Sequence, residues 1–282
     1  MKTTTKQTHL YSNTDLRKLL IPIIIEQLLS SLMGTVDTMM VSNVGSAAIS
    51  AVSLVDSINI LVIQALSALA AGGAILCSQY IGSEKRDGAI RSAQQVLFVM
   101  TVLSVALSAG CLIFRVPLLR VIFGAVEADV MKNSQVYFLF TLLSFPFIGL
   151  YDAGASILRA QNNSRSPMVI SVISNFMNIG GNAILIFGFH MGVEGAAIST
   201  LISRIFCAVV VLWKLRDESK PIFVKQYLSI RPDFGLIKKN TVHRYSIGNR
   251  EQYVPVWKAG DSVHCVHTWH GCHCRAGDDE HP

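Results

Sequence analysis

The stretch that decides the fold is LLIPIIIEQLLSSLMGTVDTMMV, Leu19 to Val41. It is almost wholly apolar, and its two acidic side chains are Glu26 and Asp37. A helix of about 20 apolar residues crosses a hydrocarbon layer about 30 Å thick. The stretch therefore predicts a transmembrane helix that carries two carboxyl groups into the membrane.

Five further apolar runs follow this one along the chain. They are continuous rather than alternating, which favours helices over the strands of a barrel. We therefore predict an all-α, polytopic membrane protein in which residues 16–216 form a bundle of six transmembrane helices, followed by an irregular polar C-terminal tail. The five runs are Ile49–Ile81, Val96–Val121, Val136–Leu158, Met168–Phe189 and Ala196–Trp213.

The charged residues are few and unevenly distributed. They make up 15% of the 282 residues, whereas soluble domains average about 25%. Lys and Arg concentrate in the N-terminal arm 1–15, in the loops after the second and fourth runs, and in the loop 217–239. The positive-inside rule makes these segments cytoplasmic. We expect a multi-pass protein of the plasma membrane with a cytoplasmic N-terminus, for which the net charge of +6 does not indicate a nucleic-acid partner.

Ionisable groups inside a membrane are costly and often functional. Asp37 lies among small residues, and the low dielectric around it suits its carboxyl group to bind and release a proton. With neighbouring amide and hydroxyl oxygens it could instead hold Na+. The alternative is a purely structural carboxylate, hydrogen-bonded near a helix end. Glu26, one turn after Pro22, fits the structural interpretation better.

The fifth run carries three asparagines on one helical face. Asn175, Asn178 and Asn182 recur at spacings of three and four. They either join helices through hydrogen bonds or supply oxygen ligands around the Asp37 carboxylate, to which the Thr200 hydroxyl would add.

Five other polar residues of the spans, Asp56, Gln64, Gln79, Asp152 and Arg204, are interpreted as structural or as lining a water-filled path. The runs contain no Gly-rich phosphate loop, no HExxH and no GxSxG. We therefore expect no catalytic residues, no cofactor and no enzyme activity.

Three motifs resemble the multidrug and toxic compound extrusion (MATE) transporters, in the same order. They are PIIIEQLLSSLMGTVDTMMVSNVGSAAISAVSL (22–54), GGAILCSQYIGSEKRDGAIRSAQQ (72–95) and ILRAQNNSRSPMVISVISNFMNIGGN (157–182). The resemblance covers about residues 15–239. It implies two six-helix lobes with a substrate cavity between them, and export of amphipathic or cationic small molecules in exchange for H+ or Na+.

The resemblance also implies roles for individual residues. Asp37 matches the coupling carboxylate, Asn178 and Asn182 match a pair on the fifth helix, and Thr200 matches a hydroxyl on the sixth; Pro22 matches the proline of a bent first helix. Some members carry Asp at the second position of the pair, so Asn182 leaves the choice between H+ and Na+ open. A lipid-linked-sugar flippase of related architecture is the alternative.

The tail does not continue the resemblance. Residues 240–282 contain no seventh apolar run, so the chain supplies one lobe, and we expect that lobe not to transport without its C-terminal partner. The segment HCVHTWHGCHCRAG (264–277) suggests a metal-binding tail, but its spacing fits no standard zinc site. The preferred explanation is a truncation or shift of reading frame after about residue 239, which predicts a disordered tail without a metal site.

Overall fold

The structure is a computed structural model of the chain. It describes residues 13–124, 126–217, 220–224, 253–258, 261–268 and 271–276, with the backbone alone for 13–16 and for the last three segments. Two units are distinguished, Met1–Asp233 and Phe234–Pro282.

The first unit is a bundle of helices, as predicted. Its described part contains six helices long and apolar enough to cross a membrane. The helices are α1 (Asn13–Ser42), α2 (Ser46–Gly82), α3 (Arg86–Ile113), α4 (Arg115–Phe123), α5 (Ala128–Ala160), α6 (Arg165–Asn182) and α7 (Val193–Lys214), and a π-helical segment (Ala183–Gly188) continues α6.

The third apolar run is not one helix to Val121, so that prediction is wrong at its end. The helix breaks at Phe114, and the nine-residue α4 follows. Pro117 lies in the first turn of α4, where a missing backbone N–H is tolerated, whereas in a continuing helix it would remove a hydrogen bond. At its other end, α3 extends beyond the apolar run because charged residues from Arg86 onward form its first turns.

Helix α5 lies at the centre of the bundle and packs against α2, α3 and α7, whereas α1 packs mainly against α6. Two apolar clusters form the interior. One surrounds Phe138, Leu142 and Phe145, and the other surrounds Leu97 and Ile157. Many large apolar side chains, among them Leu28, Leu61 and Phe176, are exposed on the surface of the bundle, as expected of helices that contact lipid.

The chain after α7 folds back onto the bundle. Ile222 and Val224 are buried in the second cluster, and the Ile222 backbone N–H donates to the Gln161 side-chain oxygen at 3.4 Å. The Arg86 guanidinium donates to the Lys220 carbonyl at 3.1 Å and lies over the Phe223 ring at 5.6 Å. The segment 220–224, which follows α7, is thereby held against the first turn of α3.

The second unit differs from the irregular tail expected from its sequence. Its described residues form an antiparallel sheet in the order β1 (Tyr253–Lys258), β2 (Asp261–Thr268) and β3 (Gly271–Ala276). Valines recur at alternate positions in β1, a pattern typical of strands, and Pro255 lies in an edge strand, where it is tolerated. Two residues of sequence separate each strand from the next, a spacing common between the strands of hairpins.

Candidate functional site

The four residues predicted to couple to a cation come together from three helices. Asp37 lies in the last third of α1, Asn178 and Asn182 lie near the end of α6, and Thr200 lies in the third turn of α7. Asn178 and Asn182 are buried, with Asn182 fully inaccessible. The spacing of four residues puts both amides on the face of α6 that meets its neighbours.

A continuous chain of hydrogen bonds joins these side chains. The Asn182 amide nitrogen donates to the Asp37 carboxylate at 2.6 Å and to the Asn178 side-chain oxygen at 3.0 Å. The Asn178 amide nitrogen donates in turn to the Thr200 hydroxyl at 3.1 Å. Thr200 donates to the Ala196 carbonyl at 2.9 Å. A change at the carboxylate on α1 is therefore linked to α7 through α6.

The close approach of α6 and α7 beside this chain depends on Gly181. A Cβ atom at this position would collide with the Ser199 hydroxyl oxygen and lie 3.1 Å from the Ser199 Cβ. The Ser199 hydroxyl donates to the Asn178 backbone carbonyl at 2.9 Å. The π-helical segment begins directly after Asn182, and such segments are frequent at functional sites.

One atom of the site has no partner. The Asn182 side-chain oxygen is buried and accepts no hydrogen bond in the structure. Buried polar atoms are normally paired, so each exception requires an explanation. Rotating the amide by half a turn would exchange its nitrogen and oxygen. The oxygen would then face the Asp37 carboxylate, an arrangement that a proton or a cation between the two oxygens would stabilise.

Asn175, predicted with the other two asparagines as a possible oxygen ligand, lies one turn before Asn178 and takes no part in the hydrogen-bonded chain. Its amide nitrogen is buried without a partner. Of the three asparagines predicted to share a face, Asn178 and Asn182 therefore belong to the series of hydrogen bonds and Asn175 does not.

Glu26 belongs to a different cluster, eleven residues before Asp37 on α1. Both of its carboxylate oxygens accept from Arg159 at 2.8 Å, and one also accepts from the Tyr151 hydroxyl at 2.9 Å. Glu26 is 4% exposed. Pro22 lies inside α1, one turn before Glu26. The structure thus gives Glu26 a partner that ties α1 to α5.

A second polar group in the interior was interpreted from sequence as structural or as lining a water-filled path. The Asp56 carboxylate accepts from Asn59 at 3.2 Å and from the Tyr137 hydroxyl at 3.3 Å. Arg204 donates to the Ser144 hydroxyl at 2.5 Å. The spacing of three between Asp56 and Asn59 was visible in the sequence; their partners on α5 and α7 were not.

Metal binding by the His/Cys tail lies outside the side chains that the structure describes. Among the side chains that are described, His, Cys, Asp and Glu form no group of three that could hold a metal ion.

A six-span helical lobe with a chain of polar side chains across its interior is the architecture of a polytopic membrane transport protein. Residues 22–184 match the model of the MatE family. The chain belongs to this family, whose members are transporters.

Curated relatives agree with this assignment. The chain is 30% identical over 234 residues to the "Uncharacterized transporter YisQ" of Bacillus subtilis, a match that covers 80% of this chain and 49% of the relative. It is 27% identical over 213 residues to the "Probable multidrug resistance protein NorM" of Thermotoga maritima, covering 72% and 45%. The chain spans about half the length of the curated relatives it matches.

Solved structures share the fold. An outward-facing "multidrug resistance MATE family transporter of the MOP superfamily" superimposes with a TM-score of 0.73 at 23% identity, covering 80% of this chain and 50% of that one. The inward-facing conformation of such a transporter gives a TM-score of 0.66 at 24% identity, covering 81% and 51%.

Proposed function

We propose that this chain is the cation-coupled lobe of a secondary active antiporter that exports drugs or other amphipathic and cationic small molecules in exchange for H+ or Na+. The supporting observation is the hydrogen-bonded chain from Asp37 through Asn182 and Asn178 to Thr200. It lies within helices that are otherwise apolar, where a polar network is retained for function more often than for stability.

The chemistry of the site fits a small monovalent cation. A carboxylate, two amide oxygens and a hydroxyl are hard oxygen ligands, the type that alkali and alkaline-earth ions prefer. The unpartnered oxygen of Asn182 is available to complete such a set after the amide rotates. A proton on Asp37 would satisfy the same oxygen by a hydrogen bond, so both coupling ions are compatible with these side chains.

Coupling follows from the number of helices that the site joins. In the structure Asn182 donates to Asp37, which holds α1 against α6. Occupation of the carboxylate would remove this acceptor and reverse the amide, and Asn178 would have to respond because it shares a hydrogen bond with Asn182. Binding at one end therefore changes the contacts of α1, α6 and α7 together, as an alternating-access mechanism requires.

We further propose that the protein resides in the plasma membrane with its N-terminus in the cytoplasm, and that a C-terminal lobe completes its substrate cavity. The names of the curated relatives support the substrate class, since three of them are described as probable multidrug resistance proteins.

Cation binding by the purified chain tests the proposal. The 282-residue chain, reconstituted in lipid nanodiscs, is titrated with radioactive sodium, and protonation is followed by the infrared band of protonated carboxyl groups. Asp37→Asn should remove one titrating carboxyl group or lower sodium affinity at least about tenfold. Asp129→Asn neutralises an exposed carboxylate and serves as the matched control. Identical titrations for the Asp37→Asn variant and the control would contradict the proposed site.

A transport assay tests the substrate class. Inverted membrane vesicles that contain the chain, alone or with the C-terminal half of a curated relative, are assayed for accumulation of ethidium driven by a proton or sodium gradient. We expect accumulation with the second half and its loss on Asp37→Asn. Gradient-driven accumulation that is indifferent to this substitution would refute the role of the carboxylate.

A further inference from the structure

The interior of the bundle contains a second carboxylate paired with an amide. Asp56 and Asn59 are three residues apart on α2 and so share one face. The Asn59 amide nitrogen donates to the Asp56 carboxylate at 3.2 Å, and the Tyr137 hydroxyl on α5 donates to the same oxygen at 3.3 Å. Asn59 is 2% exposed and Tyr137 is 4% exposed. The carboxylate is thus bounded by two side chains that are almost inaccessible.

Asn59 repeats the distinctive feature of Asn182. Its side-chain oxygen is buried and has no hydrogen-bond partner, while its nitrogen donates to the neighbouring carboxylate. Rotation of this amide would turn the unpartnered oxygen toward the Asp56 carboxylate. The Tyr137 oxygen can serve as a third ligand when its proton turns away. These are hard oxygen donors around one negative charge, a set suited to H+ or Na+.

The two carboxylates share one positively charged neighbour, the guanidinium of Arg204. Arg204 on α7 interacts electrostatically with Asp37 and with Asp56, and Asp37 and Asp56 interact with each other. Arg204 is held by its hydrogen bond to Ser144 on α5. When both carboxylates are ionised, these three groups carry one net negative charge, which one monovalent cation would neutralise.

We propose that Asp56, Asn59 and Tyr137 form a second binding site for a monovalent cation, H+ or Na+, linked electrostatically to the Asp37 site. The proposal extends the proposed function, because both sites would take the same class of ion within one lobe. It does not depend on the Asp37 site being occupied, since its ligands come from α2 and α5 rather than from α1 and α6.

The linkage between the sites has a defined sign. Each carboxylate repels the other, so each raises the affinity of its neighbour for a cation. Occupation of one site therefore weakens binding at the other, and the effect is reciprocal. Asp56→Asn should lower cation affinity at the Asp37 site about fivefold or more. Arg204→Gln removes a positive charge and should raise cation affinity at both sites.

The same chain in nanodiscs provides the test, with two probes that distinguish the ions. If Na+ is the ligand, the unsubstituted chain should bind two sodium ions with unequal affinity, and Asp56→Asn should bind one. If H+ is the ligand, Asp56→Asn should remove one of the protonated-carboxyl infrared bands that acidification produces in the unsubstituted chain. Asp129→Asn, an exposed carboxylate on α5, should change neither measurement.

Two more variants make the result decisive. Asn59→Ala retains the carboxylate and should weaken the second site about tenfold, which tests the site even when Asp56→Asn does not fold. Asp37→Asn reports on the proposed function separately. It should leave the Asp56 site able to bind its cation, with an affinity about fivefold lower because the linkage is reciprocal. The inference is overturned if Asp56→Asn loses neither a sodium ion nor an infrared band and Asn59→Ala does not weaken binding. This holds whatever Asp37→Asn shows.

Discussion

The ion pair between Glu26 and Arg159 allows a quantitative prediction about stability. Glu26 is 4% exposed, whereas the Arg159 side chain is 29% exposed. Breaking a fully buried pair costs about 3–5 kcal/mol because one charge is left without a partner, and surface pairs contribute about 0–1 kcal/mol. The intermediate exposure of Arg159 places the loss on Glu26→Gln at about 2 kcal/mol.

The reverse substitution should cost more. Arg159→Met leaves the buried Glu26 carboxylate without its charged partner, although the Tyr151 hydroxyl still donates to it at 2.9 Å. We expect a loss of about 3 kcal/mol for this variant. Glu26→Gln combined with Arg159→Met leaves neither charge uncompensated, so the double variant should lose only about 1–2 kcal/mol.

The assay is reversible unfolding of the purified chain in mixed micelles, followed by helical circular dichroism as the fraction of denaturing detergent rises. Arg165→Met removes an exposed charge at the start of α6 and should change the free energy of unfolding by less than about 0.5 kcal/mol. If the two single losses add in the double variant to within about 0.5 kcal/mol, the residues are not coupled, and the assigned ion pair is wrong.

Three other substitutions test neighbouring contacts. Gly181→Ala should destabilise the chain by about 1–3 kcal/mol in the same unfolding assay, because its Cβ would displace the Ser199 hydroxyl; an unchanged unfolding midpoint would contradict the close helix contact. Tyr151→Phe should cost about 1.5–3 kcal/mol through the lost hydrogen bond to the Glu26 carboxylate, and a neutral result would show that this bond is absent. Asn175→Ala should leave cation binding within twofold of the unsubstituted chain, since its amide nitrogen has no partner; a large loss of affinity would assign it to the site.

The sequence contained enough information to predict the spans and the polar residues that the structure brings together at the candidate site. Backbone groups that face lipid without a hydrogen-bond partner are costly, so continuous apolar runs predict helices. The six spans therefore followed from hydrophobicity alone. The spacing of Asn178 and Asn182 located both amides on one face. That this face meets Asp37 on α1 is a contact across 145 residues, which periodicity cannot specify. It was one of two interpretations of the asparagine face, and the family resemblance implied the same grouping.

The features that escaped prediction depend on local geometry or on distant partners. Hydrophobicity does not record the break at Phe114, where apolar residues continue on both sides. Asp56 was identified as a polar residue of the second run, but its partner Asn59 was not, and other helices bring Tyr137 and Arg204 to it. Glu26 was identified as a buried acid without its partner, because Arg159 lies 133 residues away.

A π-helical segment follows Asn182, and its turns are wider than those of the α-helix that precedes it. Conversion of one wide turn to ordinary α geometry would advance the helix by one residue and rotate what precedes it by about 100°. Such a rotation could carry the Asn182 amide away from α1 while the covalent chain and the turn at Gly192 stay fixed. The direction of the Asn182 amide would then depend on whether the six residues Ala183–Gly188 are wound as π-helix or as α-helix.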